Sequence, residues 1–284
     1  MSEWTIWPAP AKLNLFLHIV GRRVDGYHEL QTVFQLLDWG DTLRLRLRDD
    51  GMILRSGGIA GVVAEQDLAV RAAHALRKHC AIDAGAEIAI EKRIPAGGGL
   101  GGGSSDAATV LVALNALWRT GLSPWELAQV GLTLGADVPV FVRGHSAWAE
   151  GIGERLTAIE LPPRDFVVVD PRANVSTAEL FRAPELTRNS PRLTISSFLE
   201  GVATANAFAP AVRARYVQVA AALDWLAGFG DARLSGSGGC VFVAVESARR
   251  AQEIVTQCPA QFVAYAARGV SRSPLLDALE RFSA

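Results

Sequence analysis

Cysteine is nearly missing from these 284 residues: Cys80, Cys240 and Cys258 are odd in number and far apart. They form neither a disulfide framework nor a metal-ligand cluster, and we expect a reducing, cytoplasmic setting. Excess charge is missing as well. With a formal net charge of −1, no global field draws the chain to nucleic acid or to an anionic membrane, and neither is expected as a partner. No apolar run reaches the roughly 18–20 residues of a membrane span. The opening MSEWTIWPAP lacks a basic stretch followed by an apolar one, so no secretory leader is expected there. Lysine is scarce too: of 28 Lys and Arg residues only Lys12, Lys78 and Lys92 are lysine. Arginine does the general surface work, which makes each lysine a candidate for a compact point charge.

What the chain has is a sizeable apolar content, 50 % hydrophobic and 20 % charged residues, enough for one large domain or two ordinary ones. LNLFLHIV (13–20) reads as a buried strand, and TLRLRLR (42–48) alternates Leu43, Leu45 and Leu47 with arginines as a half-exposed one. Helical spacing marks 67–79, the apolar run 107–118 and 123–134, with Pro124 in the first turn of the last. AEIAIEK (86–92) is a further strand. A break near 155–165 divides the chain into 1–157 and 158–284. Beyond it we expect a strand at 166–169, helices over 178–182, 194–203 and 209–228, and strands at 241–245 and 261–267. The Pro/Arg-rich PELTRNSPR (184–192) reads either as a mobile loop or as a surface linker.

Between the strand at 86–92 and the next helix, six of the seven residues 97–103 are glycine. Each glycine is entropically costly to order, so such density implies that backbone must approach something closely. A glycine turn opening a helix gathers free N–H groups at the positive end of the helix dipole, which suits polyphosphate. Ser104 or Ser105 is the expected N-cap, with Asp106 in the first turn. A P-loop would close on GK[ST], whereas here GSS stands. A dinucleotide site would carry an acid about 20 residues on, where the chain reads LWRTGL.

PAGGGLGGGSSDAA (95–108) resembles the second signature motif of the GHMP kinases, a family of small-molecule kinases. PAPAKLNLFLHIVGRRVDGYHEL (8–30) resembles their N-terminal motif, and LSGSGGCVF (234–242) their C-terminal glycine motif, with SGSGGC in place of the more usual SGTGAC. The order is the family's, over nearly the whole chain. The resemblance implies an α+β, two-domain fold with its active site in the interdomain cleft. It implies ATP as phosphoryl donor, Mg²⁺ accompanying the nucleotide, and a monomer or weak homodimer. The pattern of K-x-N-L, DGYHEL and LGADVPVF (134–141) further implies phosphorylation of the 2-hydroxyl of a methylerythritol that carries cytidine diphosphate, a step toward isoprenoid precursors.

By the same resemblance Lys12 is the active-site lysine and Asp137 the proton acceptor. Pro95, Ala96, Gly97, Gly98, Gly99, Leu100, Gly101, Gly102, Gly103, Ser104 and Ser105 bind ATP. Asn14 lies on the same strand face as Lys12 and meets the substrate. Tyr27, His28 and Phe181 hold the cytosine, and Thr177 lies near the substrate's hydroxyl or diphosphate end. Lys92 is either near the nucleotide or a strand-end charge. Gly236, Gly238 and Gly239 either approach the transferring phosphate or pack against the first glycine loop. Two alternatives stay open: a kinase of homoserine, mevalonate or a sugar, against which DGYHEL and Phe181 speak, and a non-catalytic ATP sensor, against which the Lys12–Asp137 pair speaks.

Overall fold

Two long antiparallel strands near the N-terminus frame the molecule. A computed structural model describes residues 3–24, 26–57 and 61–284. In it β1 (Thr5–Arg22) runs against β2 (His28–Arg48), with irregularities between Pro10 and Lys12 and between Asn14 and Leu17. Among the described residues, apart from one isolated bridge from Leu17 to Asn206, β1 pairs only with β2. An edge position tolerates Pro8 and Pro10, which have no N–H to donate.

The first half continues with β3 (Ile53–Gly57), α1 (Leu68–His79), β4 (Gly85–Glu91), α2 (Gly102–Leu117), α3 (Pro124–Leu132), α4 (Val138–Arg143), β5 (Ala147–Gly151) and β6 (Arg155–Ala158). The second comprises β7 (Asp165–Asp170), α5 (Thr177–Arg182), α6 (Ile195–Leu199), α7 (Ala209–Arg215), α8 (Val217–Ala227), β8 (Arg233–Leu234), β9 (Val241–Val245), α9 (Ala248–Thr256), β10 (Val263–Val270) and α10 (Pro274–Ser283). Among the described residues the strands join in the order β3-β4-β2-β10-β7-β9-β8, with β1 and β5 on β2 and β6 on β5.

The two halves are stitched where β10 meets β2. Gly269 and Val270 pair with Leu37 and Leu36, and Gln35 Nε2 donates to Val270 O at 3.0 Å and to Ser146 Oγ at 3.2 Å. One core lies under α1 and α2 against β1, β2 and β4; a second lies between the β7–β9 sheet and the helices of the second half. The terminal helix α10 crosses back, placing Leu275 and Ala278 in the first core and Phe282 against Trp7, ring centroids 5.3 Å apart.

Several elements differ from expectation. Strand β1 begins eight residues early, at Thr5, and β2 extends back to His28, across a stretch whose even burial hides alternation. The helix expected over 194–203 stops at Leu199, before the left-handed Gly201 (φ +87°). The run 209–228 breaks at Tyr216, whose extended backbone (φ −125°, ψ 90°) separates α7 from α8. Its hydroxyl accepts from Ser176 N at 3.1 Å and so pins the start of α5. The stretch 184–192 is a hydrogen-bonded strap: Ser190 N donates to Ile19 O at 2.9 Å, and Leu186 is buried.

Helix α2 is the element on which the glycine loop rests, and its Leu111 is fully buried in the first core. Leu111→Ala should cost about 3 kcal/mol by chemical unfolding. A cost below about 1 kcal/mol would mean that this packing does not anchor the loop.

Candidate active site

The glycine loop leaves β4 and enters α2 through three left-handed residues, Gly97, Gly99 and Gly101 (φ +71°, +78° and +75°). The N-cap is Gly101, and α2 opens at Gly102. Neither Ser104 nor Ser105 caps the helix: both lie within its first turns, because the backbone at Gly101 has already turned into the helix. Among the described residues the N–H groups of Gly102, Gly103 and Ser104 find no backbone or side-chain acceptor, as expected of a first helical turn. They line a groove of about 260 Å³ together with Leu68, Lys92 and residues 94–101. Free donors, a helix dipole and an open groove fit a polyphosphate.

Glycine in this loop is required mainly by packing. A Cβ on Gly99 would fall 2.1 Å from Ser235 O, and one on Gly238 2.1 Å from Gly99 N. The C-terminal glycine motif therefore lies directly on the first glycine loop, backbone to backbone. Cys240 N donates to Gly98 O at 3.0 Å, and Ser235 Oγ donates to Gly99 O at 3.0 Å while accepting from Asn14 N at 3.3 Å. Asn206 braces the motif from behind, donating to Leu234 O and Gly236 O at 2.9 and 2.8 Å. Nothing in the local sequence around Asn206 flags this role, and Ser235 is marked only by its place in the C-terminal glycine motif.

Lys12 meets this assembly from β1. Its buried ammonium donates to Asn14 Oδ1 at 2.5 Å and to Gly99 O at 2.9 Å, and lies 3.4 Å from Asp137 Oδ2. It also sits 5.3 Å from the Phe34 ring centroid. Asn14 is held by donating Nδ2 to Thr32 Oγ1 at 2.9 Å. Asp137 is the residue before α4; its carboxylate makes no capping bond to that helix and is one-third exposed. The same helix supplies Phe141, whose ring is 2.8 Å from where a Cβ on Gly101 would lie. Lys12, Asn14, Asp137 and the loop thus converge on one place.

Lys92 and Asp106, both of open role in the sequence, belong to one buried cluster with Asp41 beneath the loop. Asp41 was not foreseen; a polar residue before an alternating strand gives no sign of what it holds.

The residues expected to hold cytosine lie at another part of β1–β2. The His28 and Phe181 rings stack directly, centroids 4.9 Å apart and 21° from parallel, and Phe208 meets Phe181 edge-on at 5.0 Å. Tyr27 is 62 % exposed beside them. Partial burial, then Arg22 and Arg188, lower the His28 pKa, so the ring is neutral at neutral pH. Thr177 opens α5 with its hydroxyl 2.9 Å from that of Ser237, tying α5 to the C-terminal motif. A larger cavity of about 340 Å³ lies on the opposite face of β1, lined by Leu15, Phe166, Phe198 and Phe242. Its Arg233 donates to Asp231, Thr204 and Leu15 O. Among the described residues no helix is long and apolar enough to cross a membrane.

This architecture has known counterparts. Residues 67–145 match the GHMP kinases N terminal domain, and residues 189–264 match GHMP kinases C terminal. The chain belongs to the GHMP kinases, with their two-domain α+β fold. More particularly, it is 55 % identical over 278 residues to 4-diphosphocytidyl-2-C-methyl-D-erythritol kinase of Halorhodospira halophila, covering 97 % of this chain and 96 % of that one. The enzyme of the same name from Xanthomonas campestris pv. campestris is also 55 % identical, over 98 % of this chain and 94 % of its own. A crystal structure of 4-(cytidine 5'-diphospho)-2C-methyl-D-erythritol kinase superposes with a TM-score of 0.81 at 36 % identity, over 94 % of this chain and all of that one. Homoserine kinase from Cytophaga hutchinsonii shares the fold, with a TM-score of 0.68 at 17 % identity over 96 % of each chain.

The loop-on-loop contact makes an asymmetric prediction. Gly238→Ala forces atoms apart at a backbone contact and should destabilise by about 1–3 kcal/mol in denaturant unfolding. Gly103→Ala, whose Cβ would meet only Leu68 Cδ1 at 3.5 Å, should leave stability within about 0.5 kcal/mol or raise it. Equal costs would show that the two motifs are not packed as described.

Proposed function

We propose that this chain transfers the γ-phosphoryl group of ATP to the 2-hydroxyl of 4-diphosphocytidyl-2-C-methyl-D-erythritol. The observation that carries this reading is the position of Lys12, whose ammonium touches both the nucleotide loop, at Gly99 O, and Asp137. In the reaction the substrate hydroxyl oxygen bonds to the γ-phosphorus as the bond from that phosphorus to the β–γ bridging oxygen breaks. The hydroxyl proton passes to the Asp137 carboxylate and ADP leaves. A carboxylate is a weak base toward an alcohol, so the proton moves late in a loose transition state and positioning supplies much of the rate. Lys12 orients Asp137, Asn14 turns the hydroxyl toward it, and the N–H groups of Gly102, Gly103 and Ser104 hold phosphate oxygens.

Mg²⁺ would accompany the nucleotide and supply charge neutralisation at its phosphates. The cytidine stacks on Phe181, with Tyr27 over its other face and His28 at its edge. A base between two rings needs about 7 Å between them, so His28 must swing off Phe181 as the base enters, a side-chain change common on binding. We place Thr177 at the diphosphate end, the domain boundary at 157/158, and the enzyme in the cytoplasm as a monomer or weak homodimer.

Purified protein should release ADP from Mg-ATP when given the cytidylyl substrate, and not when given methylerythritol phosphate lacking the cytidylyl group. ADP release with neither would overturn the reading. Asp137→Asn should lower kcat about 10²–10⁴-fold with the fold retained. Phe181→Ala should raise KM for the cytidylyl substrate about tenfold or more while leaving KM for ATP unchanged, since base stacking on an aromatic is worth about 1–3 kcal/mol.

A further inference from the structure

Beneath the glycine loop lies a buried charged cluster that phosphoryl transfer itself does not use. The Lys92 ammonium sits between two carboxylates, donating to Asp106 Oδ2 at 2.7 Å and to Asp41 Oδ2. The carboxylate of Asp41 is fully buried and that of Asp106 nearly so. The three residues come from β2, from just past β4 and from α2. Asp41 Oδ1 also accepts from the N–H groups of Arg93 and Ile94 at 2.5 and 2.8 Å, which fixes the chain leading to Pro95. One ammonium therefore ties together both ends of the nucleotide loop. Gly102 leaves room for it: a Cβ there would lie 3.4 Å from Lys92 Nζ and 3.0 Å from Ile94 Cγ2.

Two buried atoms of this region are unspent. Among the described residues Asp106 Oδ1 and Ser105 Oγ have no hydrogen-bond partner. An ionised carboxylate oxygen in that condition is costly, and the cost falls when the group takes up a proton. Burial raises the Asp106 pKa to about 7; Lys92 works against this, and Asp41 and then Asp67 add to it. Asp67 caps α1 and is itself paired with Arg55 at 2.6 Å. For Lys92, burial is outweighed by Asp106 and Asp41, so it stays charged.

We infer that Asp41, Lys92 and Asp106 are positioning residues that hold the loop in its phosphate-receiving shape, and that nucleotide binding is accompanied by proton uptake at Asp106. This rests on the loop's being a polyphosphate site. With Asp106 protonated the cluster is neutral; with it ionised, a net negative charge lies near the positive end of α2 and opposes the incoming phosphates. A ligand that binds the protonated form better takes up a proton on binding, so affinity falls as pH rises through about 7.

Calorimetric titration with Mg-ADP at pH 6 and pH 8, in buffers of different ionisation enthalpy, tests this. For the unsubstituted protein we expect Kd to rise roughly fivefold or more from pH 6 to pH 8, with measurable proton uptake. Asp106→Asn keeps the shape and should flatten that rise and abolish the uptake; the nucleotide's own titration is common to both proteins. An unchanged pH dependence in Asp106→Asn overturns the inference. Absence of Mg-ADP binding by the unsubstituted protein at both pH values overturns the nucleotide reading first and this one with it.

Folding gives an independent control. A carboxyl whose folded pKa is raised contributes stability at low pH that is lost as pH rises through about 7. Asp106→Asn should therefore melt no lower than the unsubstituted protein at pH 8. Lys92→Met should raise KM for ATP about tenfold with kcat changed less than threefold, and Lys92→Arg should recover part of the loss. A loss confined to kcat would contradict a positioning role.

Discussion

The backbone contact between two glycine motifs, at Gly98–Gly99 on one side and Ser235–Gly238 on the other, is the constraint from which the site follows. It brings residues far apart in sequence to a separation no side chain beyond hydrogen would permit. With that contact made, Gly99 O is presented to Lys12 and to Ser235 Oγ, and Ser235 in turn receives Asn14 N. The edge strand β1, the helix-opening loop and the second half of the chain share one small hydrogen-bonded junction.

With a net charge of −1, the chain attracts an anion only through local devices, and they are of two kinds. The open first turn of α2 supplies N–H groups and a dipole. Two of the three lysines supply charge, and each is held by acids: Lys12 beside Asp137, Lys92 between Asp41 and Asp106. These pairs have different consequences. In the proposed reaction Lys12 and its partner face the substrate hydroxyl, so their energy acts in the transition state. The Lys92 cluster joins the two ends of the loop at the base of its groove, and by our inference acts on its shape and charge.

Much of this was legible in the chain itself. Regular alternation in 42–48, helical spacing in 67–79 and the density of glycine at 97–103 each reflect a local demand that sequence expresses directly. The pairing of Lys12 with Asn14 follows from strand period, and Lys12 with Asp137 from resemblance. What was not legible depends on long-range partners. Asp41 is an ordinary polar residue until Lys92 and the chain at 93–94 fold onto it, and Asn206 until the C-terminal motif does. The N-cap at Gly101 displaced Ser104 and Ser105 because the loop's own left-handed turns set the helix start before capping preference could act. Tyr216 broke an unbroken apolar pattern because its hydroxyl is spent on Ser176 in another element.

The account stands most directly on where the two reactants meet. The measurement that decides it is a crystal structure with a non-hydrolysable ATP analogue and the cytidylyl substrate bound together. We expect the γ-phosphate at the N–H groups of Gly102 to Ser104 and the 2-hydroxyl within hydrogen-bond reach of Asp137, with Lys12 beside both. A nucleotide bound away from the glycine loop, or a hydroxyl pointing away from the Lys12–Asp137 pair, would contradict it.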